Sequence, residues 1–540
     1  MLWNNYRYKM AEDDTVHILQ YQGEELTVKI PEQIDGCPVT EIGREAFLEY
    51  GMAIETIEVP GSVKVIREGA FRMCLSLREL VLHEGLELIE GGSLAVSPLE
   101  KLTIPSTVKM IENAYELGEL PWEISEKNPW YFSDGYGLYH RADNVQELVL
   151  VQKNDARTDY EILDGTTEIG KECFSGHAFI EKVICPESLH CIGEDAFESC
   201  QSLKELHLNQ GLEEIREDAF SYCIALKELF LPASLTEIGE KALTNTYGWS
   251  DSVSGISKIV ADQRNPVYRT DENSLFQKSA YKSEYVNVYD EEAAACDSMG
   301  ATYNKSVPGR NISEVPLDNV TDTNDNNPCE GEILIKYFGD KISYEIPETV
   351  TQIGWCAFRR AGIHTLILKE SVQCVEEKAV MECRRLEWIL LPDEGGILYV
   401  PQAPVYRKDE VGALLGDREK LQGYLFDYAG YDALFDTYFF LADKAGMACC
   451  RLKSPVLLSE QMRQTYDGYI REHLEEILLD IGQREDLERL SDLAELGYFT
   501  EDNMDFCVDV IGRVQNAKLT GYLLTWQQEH FGTLEFDFSL

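Results

Sequence analysis

Ile215-Arg216-Glu217-Asp218-Ala219-Phe220-Ser221-Tyr222-Cys223-Ile224-Ala225-Leu226-Lys227-Glu228-Leu229-Phe230-Leu231-Pro232 carries two signatures in fixed phase, Ile-x-x-x-x-Phe and Leu-x-x-Leu-x-Leu. The first recurs as Ile42/Phe47, Ile66/Phe71, Ile169/Phe174, Ile192/Phe197 and Ile353/Phe358, with degenerate copies at Ile89/Leu94, Ile238/Leu243 and Val375/Val380. The second recurs as Leu77-Leu80-Leu82, Leu99-Leu102-Ile104, Leu203-Leu206-Leu208 and Leu386-Ile389-Leu391, with branched variants such as Ile54-Ile57-Val59, Ile180-Val183-Cys185 and Ile363-Leu366-Leu368. Ile169, Ile192, Ile215 and Ile238 stand 23 residues apart at each step. A constant period of this length is the mark of a stacked repeat.

The energetics of one unit explain why it must stack. About five buried side chains supply on the order of 10 kcal/mol gross. Ordering the backbone costs roughly 1–2 kcal/mol per residue, which is more. Neighbouring units therefore share one core, and the sequence predicts a solenoid. In Leu-x-Leu the side chains alternate faces, so each unit gives a short strand with its leucines inward. Pro60, Pro105, Pro186, Pro232 and Pro392 stop several of these strands.

The run from Ile215 to Pro232 resembles the BspA-type leucine-rich repeats of gut and oral bacteria. The lead-in from Asp14 to Tyr21 and on through Ile30-Pro31 to Val39-Thr40 is similar to the usual opening of that family, and Ile342 to Val350 restarts it. The likeness covers most of residues 6–400 and implies a leucine-rich repeat array of short strands. Two stretches break the period, 117–164 and about 244–332. They contain Asn128-Pro129-Trp130-Tyr131 and Asn265-Pro266-Val267-Tyr268, which resemble hairpin excursions between repeats of that family. From Cys296 to Glu332 aliphatic residues are few, and the reading is a flexible acidic loop. A calcium site in its acidic run, Asp318 to Asp325, fails the EF-hand template, because Asn327 and Ile333 stand where Gly and Glu belong.

After Pro401 and Pro404 the apolar spacing turns helical. One helix is expected from about Ser459 through Ile477-Leu478 to a stop at Gly482, and a second over Leu487–Leu496 with Gly497 as its stop. A third opens on Thr500 as N-cap with Asn503 at the capping-box position, and a fourth covers 513–527. Paired short helices resemble the degenerate ankyrin-like tails of related repeat proteins; a plain helical bundle capping the solenoid is the alternative. The expected division is a cap over 1–38, a first repeat block over 39–260 interrupted at 117–164, an excursion and loop over 261–332, a second block over 333–400, and an all-α helical-repeat domain over 401–540.

The 540 residues hold 48 Lys plus Arg against 96 Asp plus Glu, a net charge of −48. Such a surface repels phosphate backbones and anionic headgroups, which argues against nucleic acid and membrane as partners. No window approaches the roughly 18 apolar residues of a membrane span. Met1 to Lys9 shows no signal-peptide pattern, so the expected location is cytoplasmic, with secretion or surface display the alternative if a leader has been removed. There are 15 cysteines and no Cys-x-x-Cys, which reads as reduced, mostly buried thiols. Cys74, Cys200, Cys223 and Cys383 each fall three residues after the repeat's aromatic or its substitute, a position with one structural role, and the Cys449-Cys450 pair sits in an apolar helical context.

The nine histidines are scattered, with no His-Glu-x-x-His, Gly-x-Ser-x-Gly or Walker loop. No catalytic, cofactor-binding or metal-ligating residue is singled out, and the expectation is not an enzyme. The outward middle residue of each Leu-x-Leu forms a ladder: Glu58, Val81, Thr103, Ile184, His207, Phe230, Ile367 and Leu390. Ile184, His207 and Phe230 make one apolar stretch, and Ile367, Trp388 and Leu390 another; exposed apolar area of this kind marks contact sites. These six are the candidate partner-binding residues, unless the 117–164 excursion covers the first three and the helical region the second. The functional expectation is a non-catalytic scaffold for a protein or peptide partner, with a basic one favoured by charge. A secreted or surface adhesin is the first alternative, and an enzyme with its site in the helical tail or interruptions the second.

Overall fold

The computed structural model describes residues 1–94, 98–153, 155–239, 241–243, 255–278, 331–401, 406–437 and 441–532. The acidic run Asp318–Asp325 and the acidic loop as far as residue 330 fall outside them, while Glu332, expected to end the loop, instead opens the strand Glu332–Tyr337.

The chain winds a β-solenoid of about 13 turns over residues 16–390. Each turn places one strand on each of two faces. On the narrow face, two-residue strands such as Glu168–Ile169, Cys191–Ile192, Glu214–Ile215 and Glu237–Ile238 pair in parallel with identical register. On the broad face lie the Leu-x-Leu strands, including Lys182–Ile184, Glu205–His207 and Glu228–Leu231. Between the faces run the buried leucines, isoleucines and phenylalanines of the repeat. The Phe rings stack from turn to turn, Phe174 on Phe197 at 4.6 Å between centroids and Phe197 on Phe220 at 5.6 Å.

A third hydrogen-bond ladder joins the turns at the Ala-Phe corner. The Phe174 amide donates to the Ala196 carbonyl (2.7 Å), Phe197 to Ala219 (2.9 Å) and Phe220 to Ala242 (3.1 Å). The residue two before each Phe, or before Leu243 in its place, is left-handed: Glu172 (φ 55°), Asp195 (54°), Asp218 (52°) and Lys241 (59°). That conformation is costly for residues with a Cβ. Here it turns the amides of Glu172 and Asp195 along the stack, where they donate to Glu194 and Glu217.

The array is interrupted by antiparallel meanders. Tyr131–Ser133, Gly137–Ala142 and Val145–Val151 pair in sequence, and the last strand then opens a new parallel sheet beside Glu168–Ile169. Tyr268–Thr270, Ser274–Lys278 and Glu332–Tyr337 repeat this arrangement ahead of Val350–Ile353. The Asn of each Asn-Pro-x-Tyr stretch is a buried latch. Asn265 Nδ2 donates to the Pro232 and Leu235 carbonyls (2.7 and 2.9 Å), while its Oδ1 accepts from the Val267 and Tyr268 amides (2.8 and 2.7 Å). Asn128 makes the corresponding four bonds to Pro105, Val108, Trp130 and Tyr131.

Eight helices are described in the C-terminal region: α1 (Tyr406–Gly412), α2 (Tyr428–Leu434), α3 (Leu441–Lys453), α4 (Glu460–Glu472), α5 (Leu474–Arg484), α6 (Leu487–Glu495), α7 (Met504–Arg513) and α8 (Ala517–Phe531). Three helical expectations are corrected. The single helix from Ser459 to Gly482 is two helices broken at His473, whose backbone leaves helical geometry (φ −107°, ψ 18°). Gly482 does not end a helix: it lies inside α5, where a Cβ would meet Val514 Cγ2 at 2.8 Å, so it permits close packing. Thr500 is not the cap of α7. Its amide donates to Asn503 Oδ1 (2.8 Å), and the helix starts at Met504.

The helical region closes the open end of the solenoid. The last broad-face strand, Ile397–Tyr399, turns antiparallel against Trp388–Leu390. Its outer edge is then satisfied by side chains. Ser454 Oγ accepts from the Ile397 amide (3.2 Å), Cys450 Sγ donates to the Ile397 carbonyl (2.8 Å), and the Tyr431 hydroxyl donates to the Tyr399 carbonyl (2.6 Å). An unpaired strand edge would template association with another chain, and these contacts remove it. No helix among the described residues is long and apolar enough to cross a membrane.

Candidate interaction surface

The first candidate group lies on the broad face. Glu161, Ile184 and His207 are register partners across three parallel strands, and Phe230 pairs with Val260 in the next sheet. Ile184 is half-buried; His207 is exposed, and Phe230 is 42% exposed. The 117–164 excursion leaves His207 and Phe230 open to solvent, and the strand just before its end, Asp159–Glu161, extends the same ladder. Beside this stripe runs a charged one, Asp159, Lys182 and Glu205, with Lys182 paired to Glu205 at 3.4 Å.

The second group lies at the junction with the helices. Ile367 pairs in register with Leu390, and Leu390 with Ile397. Ile367, Trp388 and Leu390 are all half-buried, while Ile397 is 41% exposed. Trp388 packs edge-on against Tyr399 at 5.4 Å. Trp388, Leu390 and Ile397 line an open cavity of about 630 Å³ together with Val456, Glu488 and Asp492. Lys453, at its rim, is held by Asp492 (2.5 Å) and Glu495 (2.9 Å). Glu488 is exposed and makes no hydrogen bond or ion pair among the described residues. Sequence reasoning found Trp388 and Leu390 but missed Glu488, Asp492 and Val456, because nothing in the helical pattern marks which turn faces the solenoid.

The in-phase cysteines are built into the turns. Cys200 Sγ donates to the Phe174 carbonyl and Cys223 Sγ to that of Phe197 (both 3.0 Å), and Cys383 Sγ donates to Phe358 (2.9 Å). Burial pushes the thiols of Cys74 and Cys200 up to about 12, so the reactive thiolate form is scarce near neutrality. His177 occupies the same phase, fully buried. Its Nδ1 accepts from the Phe179 and Ile180 amides (3.3 and 3.1 Å), which puts the proton on Nε2, 2.6 Å from the Tyr136 hydroxyl and 3.2 Å from the Gln152 carbonyl. Burial lowers its pKa, so the ring is a neutral structural group. No group of three His, Cys, Asp or Glu side chains suited to a metal ion occurs among the described residues.

The model of the BspA type leucine rich repeat region matches residues 26–115, 153–257 and 337–401, in six copies. Among solved structures, a leucine rich cell surface protein of Faecalibacterium prausnitzii is 18% identical, covering 48% of this chain and 94% of its own, with a TM-score of 0.30. The pneumococcal vaccine antigen PcpA is 22% identical, covering 49% and 82%, with a TM-score of 0.34. A leucine-rich repeat protein of Bacteroides ovatus is 16% identical, covering 72% and 70%, with a TM-score of 0.31. The comparison with curated proteins gives no match. The matched stretches include turns that carry the stacked Phe rings, the parallel ladders and the in-phase thiols, and over those stretches the chain is similar to BspA-type leucine-rich repeats.

Proposed function

We propose that the protein is a non-catalytic interaction scaffold whose broad face takes a protein or peptide partner. The observation that carries this reading is Phe230, a large aromatic 42% exposed in the ladder with Val260, one turn beyond Ile184 and His207. An aromatic at the centre of an outward stripe is the side chain that contributes most to binding when a partner desolvates it. Parallel pairing holds each part of the stripe, Ile184 with His207 in one sheet and Phe230 with Val260 in the next, which limits the entropy lost on docking. The net charge of −48 favours a basic partner, speeds its approach and repels nucleic acid.

In this reading residues 401–540 are an ankyrin-like helical domain. Two helix pairs repeat at a spacing of thirty positions: α5 and α7 open at Leu474 and Met504, α6 and α8 at Leu487 and Ala517. Glu485 and Gln515 are both left-handed (φ 59° and 58°). The following Asp486 and Asn516 both cap the next helix, accepting from Arg489 and Leu519 amides.

Affinity capture with the full chain and with Phe230→Asp tests the scaffold reading. A specific partner lost in the variant, with an unchanged melting temperature, is the expected result. A partner retained undiminished removes this stripe as the binding surface.

A further inference from the structure

We infer that the junction cavity is a second docking site, one that receives a peptide segment in which a Lys or Arg stands next to a large apolar residue. This rests on the scaffold reading and names the chemistry of the partner. The cavity, at about 630 Å³, has the size of a ligand pocket. It joins two kinds of wall. Leu390, Ile397 and Val456 are apolar, and Ile397 is 41% exposed where the neighbouring strand positions are covered. Glu488 and Asp492 bring carboxylates into the lining that Trp388 shares.

The electrostatics select the sign of the ligand. Lys453 is the cation at the rim, and it is already held by both Asp492 and Glu495. With Glu488 counted, three carboxylates face one ammonium group, leaving two negative charges beside the cavity. A long basic side chain suits this arrangement: its methylene stem lies along apolar wall while its head reaches a carboxylate. Trp388 adds an aromatic surface that attracts a cation further. An acidic or phosphorylated segment would meet Glu488 and Asp492 with no free cation among the described lining residues to offset them.

The test is a positional-scanning library of acetylated, amidated octapeptides, read by fluorescence polarisation on the full chain. The expected result is selection of Lys or Arg beside Leu, Ile or Phe. Glu488→Gln should weaken the best peptide about fivefold, and Glu488→Lys, which brings the charge beside the cavity to zero, should abolish the preference for Lys or Arg. Ile397→Asp should abolish the apolar preference. Glu488 and Ile397 are exposed, so circular dichroism and melting should match the wild type. Selection that survives Glu488→Lys and Ile397→Asp but is lost in Phe230→Asp overturns the cavity assignment and leaves the scaffold reading standing. Absence of any selected peptide, with a captured partner that still depends on Phe230, overturns it equally. Absence of both overturns both readings.

Discussion

The guanidinium of Arg451, fully excluded from solvent, grips the Asp432 carboxylate with two bonds, Nε to Oδ1 at 2.7 Å and Nη2 to Oδ2 at 3.0 Å. Tyr466 donates to the same Oδ1 (2.8 Å), and Arg451 Nη1 donates to the Ser454 carbonyl (3.1 Å). One buried pair thus ties α2, α3 and α4 together just behind the solenoid's last strand. Removing one partner leaves the other charge uncompensated, at a cost of about 3–5 kcal/mol. Asp432→Ala should therefore unfold the helical region at markedly lower urea than the repeats. A helical transition unchanged in midpoint would show that water reaches Arg451.

The Asn latches make a second prediction. Asn265 satisfies four backbone groups at once, two carbonyls behind it and two amides ahead. Asn265→Ala should cost about 3 kcal/mol, since each buried group left without a partner costs roughly 1–3 kcal/mol. Asn265→Asp keeps the acceptors but turns a carboxylate towards the Pro232 and Leu235 carbonyls, and should be at least as damaging. Chemical denaturation of both variants, followed by far-ultraviolet circular dichroism, measures the difference. An alanine variant within 0.5 kcal/mol of wild type, on the order of an ordinary surface change, would refute the latch.

The repeats were legible because every turn asks the same thing of the same position: Ile169, Phe174 and Leu229 each sit at or near zero exposure in a shared core. Outward positions were legible for the same reason, since strand alternation alone exposes Phe230. The left-handed corners were not. Glu172 and Ser199 carry positive φ with no residue-type signal, and the ladder formed with the next turn explains them, their amides donating to the Glu194 and Ser221 carbonyls. Gly482 misled because a glycine near a helix end reads as a stop, whereas here Val514, distant in sequence, needs the space. The thirty-residue helix repeat keeps little more than Ile481-Gly482 and Ile511-Gly512 in common, too weak a beat to read unaided. Nor does any local pattern bring Trp388 to Glu488.

Stability should depend on pH through Asp195. Burial pushes its carboxyl up to about 7, helped by Glu198, Asp218, Glu194 and Glu172 nearby, against 3.8 unperturbed. Between those values the folded chain holds a proton that the unfolded chain has released. Stability from this group is complete below about pH 4 and is lost as pH rises towards 7. Asp195→Asn should remove that slope, leaving the variant more stable than wild type at pH 8 and similar near pH 4. Asparagine also tolerates the left-handed backbone at this corner. Urea midpoints at the two pH values decide the matter, and parallel curves for variant and wild type would rule out a shifted Asp195.

Thiol reactivity separates a structural from a chemical role for the cysteines. Of the thirteen described, all are free thiols, and only Cys37 and Cys374 are not buried. Burial pushes Cys200, Cys449 and Cys450 up to about 12, so at pH 8 about one molecule in ten thousand carries the thiolate at any of them. In a chain with Cys296 and Cys329 replaced by serine, an aromatic disulfide reagent should label two thiols quickly and the remainder only as the fold opens. Cys200→Val should lower stability by about 0.5–1.5 kcal/mol, because the Phe174 carbonyl loses the donor that joins one turn to the next while keeping the His177 amide. Rapid labelling of more than two thiols in the native chain would mean that the in-phase cysteines are open to chemistry, and the turn-to-turn bond would then have to be reassigned to something other than Sγ.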